Sequence, residues 1–404
     1  MIRTSAFSAC LLAVSFAGAQ PQSDDPAALD RIRAGASEAL AKIHNCACLW
    51  TVDLSGWSRD KMQWRERYRL EMAFLDDKEV FAWPGAKAFE SRGLTDAIHQ
   101  GAISTGDLAI ILYNIFVADS ATIHPDGRDA LAGRPLLRYS FEVPLLRSKM
   151  RLRAGNDETP VAYGGTFWAD PGTYALHRME IRAGIPGVTM VRTIDYQQAA
   201  LEGDTAYLPA AVRMTATHPG GNQSRSTLTR GECRKFTAES ALSFDEASPG
   251  AGAAPPANAA PALPAGLSLN LKLDAEIDVE TAAAGDRITA SLEGAVNSGS
   301  LALARRSPVH GRVTRAFQSW APDRGARLGL TFHEAGGEAP VSLKCSLALR
   351  SRPNSGGMLE TGGLAGKVAV PPQRPELTFI DNVLWKESPR LVLPRGFRLI
   401  CTTL

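Results

Sequence analysis

Trp64-Arg65-Glu66-Arg67-Tyr68-Arg69-Leu70-Glu71-Met72-Ala73-Phe74 is the stretch on which the fold class turns. Its even positions run Trp64, Glu66, Tyr68, Leu70, Met72, Phe74, while the odd ones begin Arg65, Arg67, Arg69, Glu71. Period-2 alternation of that length predicts a half-buried antiparallel strand with one apolar and one charged face. Downstream, strands are predicted over 137–143, 163–169, 174–183, 188–197, 206–217 and 224–236, with a turn at Asp170-Pro171-Gly172. Upstream, Leu29, Ile32, Ala36, Leu40 and Ile43 recur at helical spacing after an Asp25-Pro26 start signal. A second helix is predicted over 106–118, where Leu108, Ile111, Leu112, Ile115 and Phe116 make an apolar stripe and Ser104 or Thr105 can cap it. The expectation is a long antiparallel sheet with one helix before it and one inserted within it.

Residues 247–262 are almost entirely Ala, Pro, Gly and Ser, a composition that buries no core and reads as a linker. It divides the chain into 20–246 and 263–404, in keeping with a length of 404 residues. The second part reads as a small all-β barrel or sandwich, with strands over 271–280, 287–292, 309–316, 327–333 and 341–349. On 271–280, Asp274, Glu276, Asp278 and Glu280 are expected to form a solvated face rather than a Ca²⁺ site, since alternate side chains stand roughly 7 Å apart. Arg65, Arg67 and Arg69 are likewise read as the solvent side of their strand.

Met1-Ile2-Arg3, the apolar run 6–16 and Ala17-Gly18-Ala19 compose a cleavable signal peptide over 1–19, with mature protein starting at Gln20. The run is too short to span a membrane, and no later segment is longer. A lipid anchor on Cys10 would leave too short an apolar stretch ahead of it. The expected location is periplasmic or secreted, with no transmembrane anchor. Five cysteines remain after cleavage: Cys46, Cys48, Cys233, Cys345 and Cys401. In an oxidising compartment they are expected to pair. One bridge per half would join Cys345 to Cys401 and Cys233 to either Cys46 or Cys48. His44, Cys46 and Cys48 share a face if extended, which permits a soft metal; a disulfide plus a spare thiol is the preferred reading.

Thr166-Phe167-Trp168-Ala169-Asp170-Pro171 followed by Leu176-His177-Arg178-Met179-Glu180, with the leading helix and two-sided strands, resembles the half-barrel superfamily of the LolA and RseB type. That resemblance implies an antiparallel half-barrel sheet covered by helices, serving as a carrier or sensor of lipids or lipoproteins. Asn45-Cys46-Ala47-Cys48, Ser104-Thr105-Gly106 and Cys233-Arg234-Lys235-Phe236 resemble an uncharacterised set of exported proteins from Acidobacteria-like genomes. The cysteine position in that set implies that Cys48 pairs with Cys233 and Cys46 is spare. In the second part, Leu263-Pro264-Ala265-Gly266, Ala284-Gly285-Asp286-Arg287-Ile288, Gly311-Arg312-Val313 and Arg327-Leu328-Gly329-Leu330 resemble the β-barrel of TrbI-like conjugation-channel proteins. Leu303-Ala304-Arg305-Arg306-Ser307 departs from that pattern at its second Pro-x-Gly turn, so a shared fold is implied and conjugation is not.

No catalytic constellation is legible. Gly101 to Gly106 is followed by Asp107 rather than Lys, and Gly366-Lys367 lacks the rest of a phosphate loop. Neither a Gly-x-Ser-x-Gly elbow nor a His-Glu-x-x-His helix occurs. His124-Pro125-Asp126-Gly127-Arg128-Asp129 reads as a turn. A net charge of +2, with dispersed basic residues, argues against nucleic acid as a partner. No cofactor or metal is expected.

What stands out is apolar surface. Trp64, Tyr68, Leu70, Met72 and Phe74 on the strand face Ile111, Leu112, Ile115 and Phe116 on the inserted helix, a set rich in adaptable side chains. They are the candidate ligand-binding residues, with Gly106 as a hinge for a movable lid. The expected function is a non-enzymatic carrier or sensor of an apolar or acyl group of a lipid or lipoprotein, with an envelope protein as a further partner. The alternative is a structural or assembly module whose core is full.

Overall fold

The computed structural model describes residues 26–43, 46–75, 78–86, 89, 98, 100–103, 109–154, 157–201, 203–235, 263–299, 301–337, 340–349 and 377–404. The segment expected as a signal peptide, the expected linker over 247–262, His44 and Gly106, the expected hinge, lie outside them.

Helix α1 (Pro26–Ile43) turns Ala28, Ile32, Ala36, Ala39, Leu40 and Ile43 inward, the i, i+4, i+8 stripe of an amphipathic helix. Ten long strands follow: β1 (Cys46–Ser58), β2 (Lys61–Leu75), β3 (Lys78–Ala82), β4 (Thr122–Leu131), β5 (Arg134–Val143), β6 (Tyr163–Ala169), β7 (Leu176–Ile185), β8 (Val188–Leu201), β9 (Asp204–Thr217) and β10 (Gln223–Lys235). They form one antiparallel sheet in the order β3-β2-β1-β10-β9-β8-β7-β6-β5-β4. The expected mainly-β class and antiparallel half-barrel sheet are therefore present. The chain starts the sheet in its middle, because β1 is held between β2 and the last strand, β10. A disulfide between Cys48 and Cys233 fastens that central pair, and Cys46 stays reduced and buried. With Cys48 so bound, the His44, Cys46 and Cys48 metal set is not available.

The inserted helix differs from expectation. Its described part is a single turn, α2 (Ile110–Leu112), running into a π-turn over Tyr113–Val117. The widened turn places Asn114, Ile115 and Phe116, three residues in succession, against the sheet. The segment at His124–Asp129 is also not a turn. It belongs to β4, and a bulge between Pro125 and Arg128 absorbs Gly127 at φ +84°.

The second half wraps a separate apolar cluster that includes Leu271, Ala290, Val313, Leu330, Phe332 and Leu399. Its main strands are β11 (Ser268–Leu273), β12 (Arg287–Leu292), β13 (Pro308–Ser319), β14 (Gly325–Ala335), β15 (Cys345–Leu349), β16 (Val383–Lys386) and β17 (Arg398–Thr403), in the order β15-β17-β11-β12-β13-β14-β16. A second disulfide joins Cys345 of β15 to Cys401 of β17. The strand expected over 271–280 ends at Leu273. Asp278 there turns back to accept the Glu280 amide at 2.9 Å, so the four carboxylates share no strand face.

The outer edge of β2 is shared between the halves. Residues 71–75 pair with β3, Tyr68 bridges Ala284, and Trp64, Arg65 and Glu66 pair with Ser319, Gln318 and Phe317 of β13. The arginine ladder is consequently not a solvent face. Arg65 and Arg67 converge on Asp53 at 2.7 and 2.9 Å, Arg67 donates to the carbonyls of Glu280 and Thr281, and Arg69 pairs with Asp286. A row of cations looks the same in sequence whether it meets water or the acceptors of a second half.

Candidate functional site: the half-barrel interior and its mouth

Register places one residue from each of eight strands in a row across the inner face: Tyr139, Phe167, Met179, Ile194, Val212, Leu228, Val52 and Tyr68. All are buried. The next row carries polar groups into the interior, running Ile181, Arg192, Met214, Ser226, Leu54 and Glu66. Glu66 is balanced by Arg315 of β13 at 3.3 Å. Burial pushes the Tyr163 hydroxyl up to about 12, opposed by Arg192 and by a hydrogen bond with Asn114 of the π-turn. Asn114 Oδ1 is itself buried without a partner.

Eight of the nine candidate residues meet in this interior. Tyr68, Leu70, Met72, Phe74, Ile111, Leu112, Ile115 and Phe116 are buried in a single cluster. The Phe116 ring stands edge-on to Phe167 at 5.1 Å, and Phe167 stacks on Tyr139 at 5.0 Å. Trp64 is only partly buried and stacks on Phe317 of the second half at 6.5 Å. Among the described residues, no group of three or more His, Cys, Asp or Glu side chains is placed to hold a metal.

Open volume lies at the mouth of the half-barrel, beside α1. A groove of about 190 Å³ is lined by Ile32, Ala36, Ala39, Leu112, Leu176 and Ala206, with Glu38 and Lys42 on its rim. Small side chains on the inner face of α1 leave this gap, and Gly35 stands beside it with nothing within 4 Å of its missing Cβ. A second pocket of about 290 Å³ shares Ala175, Leu176, Gln198 and Tyr207 with the groove but adds Arg134, Asp170, His177 and Gln197. There the Thr173 amide, and behind it Arg134, hold Asp170 down at about 2 against the opposing effect of burial. Of the nine candidate residues, Leu112 alone lines either pocket.

The α1 stripe is legible in the sequence, but the expected lid lies on the inserted helix instead. The signal that could have drawn attention to the mouth is the small set Gly35, Ala36 and Ala39, which leaves the groove beside α1 unfilled. The tethers of α1 at the rim are exposed polar contacts: Arg31 to the Tyr174 hydroxyl at 2.7 Å, Arg33 to Asp119 at 3.2 Å, and Lys42 to Asp204 at 3.2 Å. Such pairs contribute roughly 0–1 kcal/mol each.

No family model and no curated relative matches the sequence. Solved structures do resemble it. A DUF1329 family protein from Desulfovibrio piger is 12% identical with a TM-score of 0.30, over 52% of this chain and 93% of that one. A putative outer membrane lipoprotein-sorting protein domain from Vibrio parahaemolyticus is 11% identical with a TM-score of 0.29, over 51% and 94%. A LolA superfamily protein from Nitrosomonas europaea is 10% identical with a TM-score of 0.27, over 52% and 93%. For the second half, the TrbI-like resemblance stays one of sequence motifs.

Proposed function

We propose that the protein is an exported, non-enzymatic carrier or sensor of the cell envelope that takes an acyl group of a lipid or lipoprotein at the mouth of its half-barrel. The observation that carries this reading is the adjacency of two open spaces at the mouth, a groove under α1 whose floor includes Ile32, Ala36, Leu112 and Leu176, and a pocket holding Arg134, Asp170 and His177, which meet at Ala175, Leu176, Gln198 and Tyr207. That arrangement suits an amphiphile, with its tail under α1 and its polar end among Arg134, His177 and Gln197. A groove of about 190 Å³ is small beside the roughly 300 Å³ or more of ordinary ligand sites, so a long chain requires α1 to lift. Rim contacts worth little individually favour that motion, and the acyl chain would have to cover the apolar surface of Ile32 and Ala36 that α1 gives up as it lifts. Periplasmic or secreted location and an envelope protein partner belong to the same proposal.

The test is Gly35→Phe. The helix gains a little propensity by losing a glycine, roughly 0.3–0.5 kcal/mol, while the new ring occupies the groove. A fluorescent fatty acyl probe is expected to bind the wild type saturably and the variant at least about tenfold more weakly, at unchanged thermal stability. Absence of saturable binding to the wild type would overturn the proposal. It would leave the second reading, a structural module, which the closed packing of Tyr68, Leu70, Met72, Ile115 and Phe116 favours.

A further inference from the structure

On the outer face of the second half, Arg287 of β12 stands directly opposite Arg312 of β13. Two histidines share the neighbourhood. His310 precedes Arg312 on β13, and His333 is the extra residue of the bulge where β14 passes His310 and Gly311. The bulge leaves His333 without a cross-strand partner, and its imidazole feels the charge of both Arg312 and Arg287. Burial holds its imidazole below the usual range, reinforced by Arg312, His310 and Arg287 and opposed by Glu334. Glu71 acts on Arg312 from the first half, but its carboxylate is already taken by Arg234 and the Gly85 amide. Among the described residues, neither Arg287 nor Arg312 has a carboxylate within ion-pair distance.

Both guanidiniums are nevertheless held in place, and by the first half. Arg312 lies over the Trp83 ring at 5.9 Å, and Arg287 Nε donates to the Pro84 carbonyl at 3.3 Å. Gly85, at φ +72°, admits the Arg287 head; a Cβ there would come within 1.3 Å of Arg287 Nη2. Like charges directly opposite on neighbouring strands are destabilising. Here two of them are clamped together with two titratable imidazoles, an arrangement that turns favourable once a multiply charged oxyanion sits between them. Guanidinium pairs match phosphate oxygens with paired, charge-assisted hydrogen bonds.

We infer that Arg287 and Arg312, with His310 and His333 beside them, form a binding site for a phosphate group at the seam between the two halves. The site is separate from the groove under α1, and neither depends on the other. The test follows the unfolding midpoint of the full-length protein in rising inorganic phosphate against chloride at matched ionic strength. A ligand of the folded state raises the midpoint with concentration, so the wild type should respond saturably to phosphate beyond chloride. Arg312→Gln should weaken that response at least tenfold, while Arg305→Gln, away from the cluster, should keep it. Arg287→Gln should weaken the response likewise, a readout that survives if Arg312→Gln does not fold. Flotation with phosphatidic acid against phosphatidylcholine vesicles separates a lipid head group from free phosphate as the source, and either result supports the site. A wild type whose midpoint follows ionic strength alone would overturn the inference and leave the cluster as a clamp between the halves.

Discussion

Glu66 carries a charge to a position where the alternation of β2 calls for an apolar residue. It survives there because Arg315 reaches it from the second half. Removing one partner of a fully enclosed pair costs roughly 3–5 kcal/mol. About a third of the Arg315 side chain meets water, so Arg315→Ala is expected to cost less, roughly 1–3 kcal/mol in urea unfolding. Asp170 offers a pH test. Its carboxylate titrates at about 2 in the folded protein, against 3.8 as its ordinary value. The unfolded chain therefore takes up the proton first as pH falls. The stability Asp170 contributes is complete above 3.8 and is lost as pH drops through about 2. Asp170→Asn should flatten the acid arm of the midpoint–pH curve in that window and leave circular dichroism at neutral pH unchanged.

At the scale of elements, β2 was legible from alternation alone, and so was the α1 stripe. β1 shows the same period, with Cys48, Trp50, Val52 and Leu54 inside and Asp53 and Ser55 outside, yet only its cysteine spacing drew notice. The inserted helix misled because an apolar run at helical spacing does not reveal a π-turn, which changes which residues face inward. The mouth was illegible for another reason: a gap is made by side chains that are absent, and its walls come from α1, β7, β8 and β9 together. The lid residues give a direct check. Ile115 and Phe116 sit within the aromatic interior, so replacing either with Asp should unfold the first half, at a cost of several kcal/mol for an unpaired buried charge. Retention of native circular dichroism by Phe116→Asp would show instead that the interior admits water.

Across the whole molecule, the order of the chain and the order of the sheet disagree in one telling way: β1 cannot complete its pairing until β10, the last strand of its half, has arrived. The Cys48–Cys233 disulfide closes that loop over a sequence separation of 185. Replacing both cysteines by Ala should lower stability by about 2–5 kcal/mol, and a smaller loss would mean that the denatured chain already holds the two ends close. The seam has the longest reach. Where β13 and Ala284 lie along the edge of β2, they occupy backbone amides and carbonyls that would otherwise be open to any extended chain. A fragment cut within 236–262 would bare that edge between residues 64 and 69, beside a Trp64 ring robbed of its stacking partner. An uncovered strand of this kind recruits its own kind by edge-to-edge addition. The severed first half should therefore elute as concentration-dependent oligomers in size-exclusion chromatography, and adding back the second half as a separate polypeptide should dissolve them.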